Sequence, residues 1–115
     1  MELFKFNKNC GKKITRFNSD FIMSRIIQTT QVAHISCMHL EKDGVVGYHQ
    51  AMSPQLLLIV SGAGLVRGEQ EDYFKVGAGD AVFWNKDEWH ETRSAEGMMA
   101  IVVESEELVP AMSIL

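Results

Sequence analysis

The sequence has few of the residues that would link it to an oxidising compartment, a membrane or a nucleic acid. Two cysteines, Cys10 and Cys37, are too few for a disulfide framework and are expected to be free thiols. The longest apolar run, residues 56–60, is far shorter than the ~20 residues that span a bilayer. Eleven basic residues against 15 acidic ones give a net charge of −4, unlike the basic surface of nucleic-acid binders. We therefore predict a cytoplasmic protein with no nucleic-acid and no membrane partner.

Helical periodicity is also scarce, and short β-rich segments bounded by glycine or acidic turns take its place. Turn signals recur at 42–44, 62–64 and 77–79. Short strands with frequent turns are typical of an all-β sandwich or a small barrel. We predict one all-β domain over residues 1–115, in which 105–115 is a tail, either a helical turn or frayed. The predicted strands are 21–27, 32–40, 55–61, 65–68, 73–76, 80–84, 89–94 and 98–104.

Two histidines lie far apart in this pattern, each at the start of a strand-like stretch. His49 opens the segment His-Gln-Ala-Met-Ser-Pro-Gln, which ends at Gln55 and is followed by Gly62. His90 lies eleven residues after Gly79. If the strands between them close into a barrel, both imidazoles meet at its mouth, where a divalent metal or a polar ligand can bind.

These residues resemble the two motifs of the cupin superfamily, G-x5-H-x-H-x3,4-E-x6-G and G-x5-P-x-G-x2-H-x3-N. The first motif falls at about 44–62 and has Gln55 in its glutamate position, and the second falls at about 79–94. His49 occupies the first histidine position of the first motif, and His90 occupies the single histidine position of the second. The resemblance implies a single-domain double-stranded β-helix, which is a jelly-roll barrel.

The departures from the motifs bear on metal binding. Cupins that bind a metal typically use three histidines and a glutamate, whereas here Ala51 replaces the second histidine and Gln55 the glutamate. Alanine has no donor atom, and an amide oxygen is a poorer ligand than a carboxylate for zinc or iron. The resemblance therefore leaves His49, His90 and Gln55 as the candidate ligands for Zn, Fe, Mn or Ni. The sequence favours the other interpretation, in which these residues line a pocket and hydrogen-bond a ligand.

Further side chains complete a candidate ligand site. Strand alternation puts Leu57 and Ile59 on the same face as Gln55, so the pocket is apolar at depth and polar at its mouth. The two tryptophans either stack on a flat ligand or pack in the core or a subunit contact. Arg67 meets an anionic ligand if it faces inward and is otherwise a surface charge. The candidate ligand-binding residues are His49, Gln55, His90, Tyr48, Trp84, Trp89 and Arg67.

Three functions stay open from the sequence. The first is a small-molecule-binding cupin with an incomplete metal site at the barrel mouth. The second is a metal-dependent enzyme of the dioxygenase or isomerase type that uses His49 and His90 as ligands, and the third is a purely structural or interaction module. We also expect a homodimer, because the strand at 56–60 is apolar on both faces and needs cover. Single-domain cupins commonly pair through such strands and N-terminal arms.

Overall fold

The computed structural model describes residues 1–114 of the chain. Apart from two three-residue 3₁₀ turns, every regular element in this range is a strand, so the prediction of an all-β chain is confirmed. The strands are β1 (Glu2–Lys5), β2 (Lys12–Ile14), β3 (Phe21–Met23), β4 (Ile27–Gln28), β5 (Ala33–Leu40), β6 (Gly44–Gln50), β7 (Gln55–Arg67), β8 (Phe74–Gly77), β9 (Asp80–Trp84), β10 (Trp89–Ser94), β11 (Met98–Ser105), β12 (Val109–Pro110) and β13 (Ser113–Ile114).

Two antiparallel sheets share the long strand β7. Its first half pairs with β9 and β11, in a sheet that continues to β1 and β13 on one side and to β5 on the other. Its second half pairs with β8 and β10, and β10 pairs with β6. The sequence predicted a turn at 62–64, which is wrong, because β7 passes through this segment from one sheet to the other. Gly62 permits the passage, since its φ is +81° and a Cβ there would collide with the backbone of Gly97.

The barrel interior is filled by apolar side chains from both sheets. Leu57 and Ile59 of β7 lie in this inner cluster, whereas Leu56 and Leu58 lie in a second cluster on the outer face. The predicted alternation is therefore confirmed. Strand β7 therefore contributes buried side chains to the core on both of its faces. Each buried side chain of this size stabilises the fold by about 1.5–3 kcal/mol.

The outer face of β7 is covered by segments of the same chain. Leu108 and Met112 from the end of the chain and Ile26 and Ile27 from the segment around β4 pack on it. The predicted tail is neither helical nor frayed over 105–114, since β12 pairs with β4 and β13 with β1. Leu115, the last residue of that predicted tail, lies outside the described residues. The predicted strand at 21–27 is interrupted, because only its two ends pair, each with a different partner.

Strands β2 and β3 form a separate two-stranded hairpin that the sequence did not predict. Most of its large apolar side chains face solvent, with Phe17 in the connecting turn 90% exposed and Phe21 and Ile22 about half exposed. A lone hairpin of this kind is marginally stable in water. Cys10 and Cys37 are free thiols, as expected. Within residues 1–114, no helix is long and apolar enough to cross a membrane.

Candidate functional site

A β-bulge in β6 places His49 at the candidate site. In the pairing of β6 with β10, His49 is opposite His90 and Val46 is opposite Thr92, so two residues, Gly47 and Tyr48, face the single residue between. In a regular strand, positions 46 and 49 would face opposite sides, but here both line one pocket. His49 lies near the end of β6, so its predicted place at the start of a strand is wrong.

The hydrogen bond of His49 determines which of its nitrogens is free. Its Nδ1 lies 2.7 Å from the carbonyl oxygen of Gly47. A carbonyl oxygen only accepts, so Nδ1 carries the hydrogen and donates it. In the neutral ring this leaves Nε2 with a lone pair that can accept a hydrogen bond.

The structure brings His49, His90 and Trp84 together. The ring centroids of the two histidines are 4.4 Å apart, and those of Trp84 and His90 are 4.3 Å apart. Trp84 is 1% exposed and His90 is 3% exposed, whereas His49 is accessible at the rim. The three rings therefore form a continuous wall that runs from solvent into the barrel.

Buried polar atoms of this wall have no hydrogen-bond partner. They are Nε1 of Trp84 and both ring nitrogens of His90. Burial, with His49 as a smaller second cause, lowers the pKa of His90 to about 4, so the ring is neutral at pH 7. A buried polar group without a partner costs about 1–3 kcal/mol, and nearly all such groups in folded proteins are bonded to protein or water. These atoms are therefore available to a molecule that enters the pocket.

The pocket in front of these rings is a cavity of ≈ 340 Å³ with apolar walls from Leu57, Val102 and other interior residues. Its second wall is polar. Glu104 of β11 is directly opposite Gln55 of β7, and Gln55 is directly opposite Trp84 of β9, so the three share one face of the sheet. Glu104 and Gln55 both line the pocket. Glu104 was not predicted from the sequence, although its alternation with the inward-facing Met98, Ala100 and Val102 of β11 indicates this position.

The other three predicted ligand-binding residues lie outside this pocket. Tyr48 stacks on Trp89 with ring centroids 5.4 Å apart, and the Arg67 guanidinium lies 4.2 Å from the ring centroid of Tyr48. Among the residues that line the pocket are His49, Gln55, Trp84 and His90, but not these three. We call this group, together with its neighbours, the outer cluster: Tyr48, Arg67, Tyr73, Trp89, Glu91 and Arg93.

The outer cluster is organised around the buried carboxylate of Glu91. It accepts hydrogen bonds from Arg67 Nε at 3.3 Å, from Arg93 Nη2 at 3.1 Å and from the hydroxyl of Tyr73. The bond from Tyr73, followed by those from the two arginines, lowers the pKa of Glu91. Arg67 is thus paired with a carboxylate of its own chain, and the expectation that it meets an anionic ligand in the pocket has no support from its position.

The donor atoms at the pocket do not fit a resident metal ion. Within residues 1–114, no group of three or more histidine, cysteine, aspartate or glutamate side chains is placed to hold one. His49 and His90 supply two imidazoles, Gln55 adds at most an amide oxygen, and the Glu104 carboxylate, although it lines the pocket, is not grouped with the two histidines. Ala51 is buried, and its backbone pairs with Asp87 and Glu88, so it supports the turn before His90.

A larger cavity of ≈ 560 Å³ lies at the opposite end of β10, among turn residues that include Asp43, Lys75, Arg93 and Glu96. Of the buried side-chain atoms without a partner in the described chain, none belongs to its lining. Its charged groups of both signs are exposed. Size alone therefore does not identify the functional site, and the pocket at His90 is the better candidate.

Comparison with solved structures finds proteins of similar fold. A cupin superfamily protein from Desulfitobacterium hafniense DCB-2 has a TM-score of 0.61 at 12% identity, over 70% of this chain and 72% of that chain. KdgF from Halomonas sp. has a TM-score of 0.61 at 22% identity, over 72% of this chain and 78% of that chain. A predicted oxalate decarboxylase from Thermotoga maritima has a TM-score of 0.56 at 19% identity, over 66% of this chain and 64% of that chain.

No model of a protein family matches this chain, and no curated protein matches it in sequence. At identities this low, the likeness of the structures bears on the fold and not on activity, since one fold supports many chemistries. The function has to be argued from the pocket.

Proposed function

We propose, from the premise that this chain has the cupin fold, that it binds a small molecule at the barrel mouth without a resident metal. One observation carries the proposal. Nε1 of Trp84 and both ring nitrogens of His90 are buried, unbonded and next to a cavity of ≈ 340 Å³. A cavity of this size is at the lower end of the range of about 300–1,000 Å³ typical of small-molecule sites.

The ring nitrogens offer a defined set of hydrogen bonds to a ligand. Trp84 Nε1 only donates, so it requires an acceptor such as a ligand oxygen. Neutral His90 has one donor and one acceptor nitrogen, and the Nε2 of neutral His49 accepts. The apolar walls exclude water from these bonds, which strengthens them. Rings held by packing lose little entropy on binding, so much of the site is formed in advance.

The alternative, a metal-dependent enzyme of the dioxygenase or isomerase type, needs a firmly held ion. Catalytic zinc sites commonly use three protein ligands, and non-haem iron sites use two histidines and a carboxylate. Here Gln55 stands in the position of the third strong ligand, Ala51 adds none, and Glu104 of the pocket wall is not grouped with the two histidines among the described residues. The available donors therefore favour the metal-free binding function.

Elemental analysis of the untagged protein separates the two functions. We expect less than stoichiometric zinc, iron, manganese and nickel in the wild type. The matched variants are His49→Ala and His90→Ala, with His39→Ala as the control, because His39 is exposed on β5 and does not line the pocket. Stoichiometric metal in the wild type and in the control, lost in both pocket variants, would support the enzyme instead.

Binding itself is measured through the indole N–H resonances of the two tryptophans in ¹⁵N-labelled protein. A small set of neutral hydroxyl- or amide-bearing fragments is titrated, and we expect the Trp84 resonance to shift in a saturable way. Trp89 lies in the outer cluster and is the internal reference. If no fragment shifts the Trp84 resonance, or if both resonances shift together, the binding proposal is wrong.

We also propose a homodimer, for a reason other than the one derived from the sequence. The second face of β7 is covered by the chain's own residues, but the β2–β3 hairpin exposes Phe17, Phe21 and Ile22. Residues 8–25 contain five basic residues and one acidic residue in a chain of net charge −4, so the rest of the chain is acidic. This charge complementarity favours a second copy of the chain as the partner of the hairpin.

Light scattering at micromolar concentration tests the dimer. We expect the mass of two chains for the wild type and of one chain for Ile22→Ser. Val109→Ser removes an equally exposed apolar side chain elsewhere and is the control. A wild-type mass of one chain contradicts the proposal.

The cytoplasmic location expected from the sequence stays a prediction.

A further inference from the structure

The charges around the pocket are of one sign. Glu104 is the one carboxylate among the described lining residues, and neither lysine nor arginine is among them. His90 is neutral at pH 7, since its pKa is lowered to about 4 by burial. Both arginines near the histidine strands, Arg67 and Arg93, are bonded to Glu91 on the outer face. An anion in this pocket would therefore meet a carboxylate and no lysine or arginine.

Glu104 is close enough to a bound molecule to affect it. It is one strand away from Gln55 and two strands away from Trp84, in register across the sheet. Neighbouring strands are about 4.8 Å apart, so a ligand that bonds Trp84 and lies over Gln55 is within about 5–10 Å of the carboxylate. Two like charges at this distance, at an effective dielectric constant between those of protein and water, weaken binding about tenfold.

Glu104 also complements the ring nitrogens. A carboxylate accepts hydrogen bonds, and Trp84 Nε1 donates one, so a ligand that satisfies both carries a donor at one end and an acceptor at the other. Hydroxyl, amide and ammonium groups supply such donors. The oxygens of an ionised carboxylate or phosphate only accept, so they cannot form a hydrogen bond with the carboxylate of Glu104.

On the basis of the proposed function, we infer that Glu104 determines the charge selectivity of the pocket, which admits small hydroxyl- or amide-bearing molecules without negative charge and rejects carboxylates and phosphates. The buried, unbonded nitrogens of Trp84 and His90 fix one end of the ligand, and Glu104 fixes the sign of its charge at the other. Glu104 is thus a specificity-determining residue.

The experiment uses three probes of matched size, each with one hydroxyl group: lactamide, lactate and 1-amino-2-propanol. Each is titrated into the ¹⁵N-labelled full chain at pH 7, and the Trp84 indole resonance reports the dissociation constant. We expect lactamide and 1-amino-2-propanol to bind about tenfold or more tightly than lactate. Lactate that binds as tightly as lactamide overturns the inference and leaves the binding function intact. If none of the three shifts the resonance, the binding function fails and the inference fails with it.

The variant Glu104→Gln keeps the shape of the side chain and removes its charge. We expect it to raise the affinity for lactate relative to lactamide about tenfold. Glu106→Gln is the matched control, because Glu106 is exposed, two residues away and not among the lining residues. If both variants give the same lactate-to-lactamide ratio, Glu104 does not set the selectivity and the inference is wrong.

Discussion

Strands β6 and β10, with their neighbours, present polar and aromatic side chains on two faces, and the two faces differ in how these groups are bonded. Toward the pocket, His90 is 3% exposed and neither ring nitrogen has a partner. On the outer face, Glu91 is 6% exposed and its carboxylate accepts bonds from three side chains. The two residues are adjacent in sequence and equally buried. Only one of them is fully bonded within the chain.

This difference in bonding distinguishes residues that can bind a ligand from residues that stabilise the fold. A buried polar group with all of its bonds made stabilises a unique arrangement, whereas one without bonds weakens the fold until something supplies them. Residue type does not reveal which case applies. Trp84 and Trp89 were equal candidates from the sequence, and the bonding places one at the pocket and the other in the outer cluster.

The largest effect that distinguishes the two faces is expected in the pH dependence of stability. His90 has a pKa of about 4 in the folded protein, against about 6.5 when unfolded. The unfolded state therefore binds the proton first as the pH falls. The free energy of unfolding should decrease by about 3 kcal/mol as the pH falls from 6.5 to 4, and the contribution of His90 should not change further below pH 4. The charged or titratable groups near His90 are His49, which lowers its pKa, Glu88, which raises its pKa, and Glu104 of the pocket.

Urea unfolding at a series of pH values measures this slope, and His90→Leu should remove it. Glu91 on the outer face contributes to stability in a different pH range. The pKa of Glu91 is lowered from 4.5, so its contribution is present above about pH 4.5 and is lost as the pH falls through the folded-state value. Wild-type and His90→Leu curves that run parallel between pH 4 and pH 6.5 would contradict the assignment.

The second effect is the loss of the buried carboxylate. Glu91→Ala removes the acceptor shared by Arg67, Arg93 and Tyr73, and we expect the free energy of unfolding to fall by about 2 kcal/mol at pH 7. Denaturant unfolding measures it. Lactamide binding, followed at the Trp84 resonance, should be unchanged in the folded variant. Loss of binding without loss of stability would mean that the outer cluster belongs to the site.

The third effect has the opposite sign. His90→Leu replaces two unbonded buried nitrogens with an apolar side chain of similar volume, and we expect a gain of about 1 kcal/mol at pH 7. The same variant should abolish the lactamide response of Trp84. A variant that is less stable than the wild type would show that His90 is bonded within the folded protein.

The smallest effect is expected in the exposed part of the outer cluster. Trp89→Ala removes the ring that stacks on Tyr48 and should cost about 1 kcal/mol or less. Thermal unfolding measures the loss. Because Trp89 is outside the pocket lining, the dissociation constant of lactamide should stay within twofold of the wild-type value. A larger change would place the tryptophan in contact with the ligand.

The sequence allowed much of the fold to be predicted, and less of the site. The alternation of Leu56 to Ile59 follows from the two-residue period of a strand, and the meeting of His49 with His90 follows from the spacing of the two motifs. The bulge at Gly47 and Tyr48 does not follow, because its one sequence sign is a glycine, and a glycine indicates a turn or a strand break equally well. The burial of Glu91 does not follow from residue type either, because two of its partners, Arg67 and Tyr73, are distant in sequence and meet it only in the folded chain.

The extra residue in β6 also determines which change in chain length the pocket tolerates. Deletion of one codon at Gly47 would leave Val46 and His49 two positions apart in a regular strand, so both side chains would still face the interior. Deletion of Glu91 on the paired strand would instead make His90 and Thr92 sequence neighbours, and neighbouring residues of a strand face opposite sides. The bulge thus lets β6 lose a residue and keep its histidine in the pocket, whereas the regular strand beside it has no residue to spare.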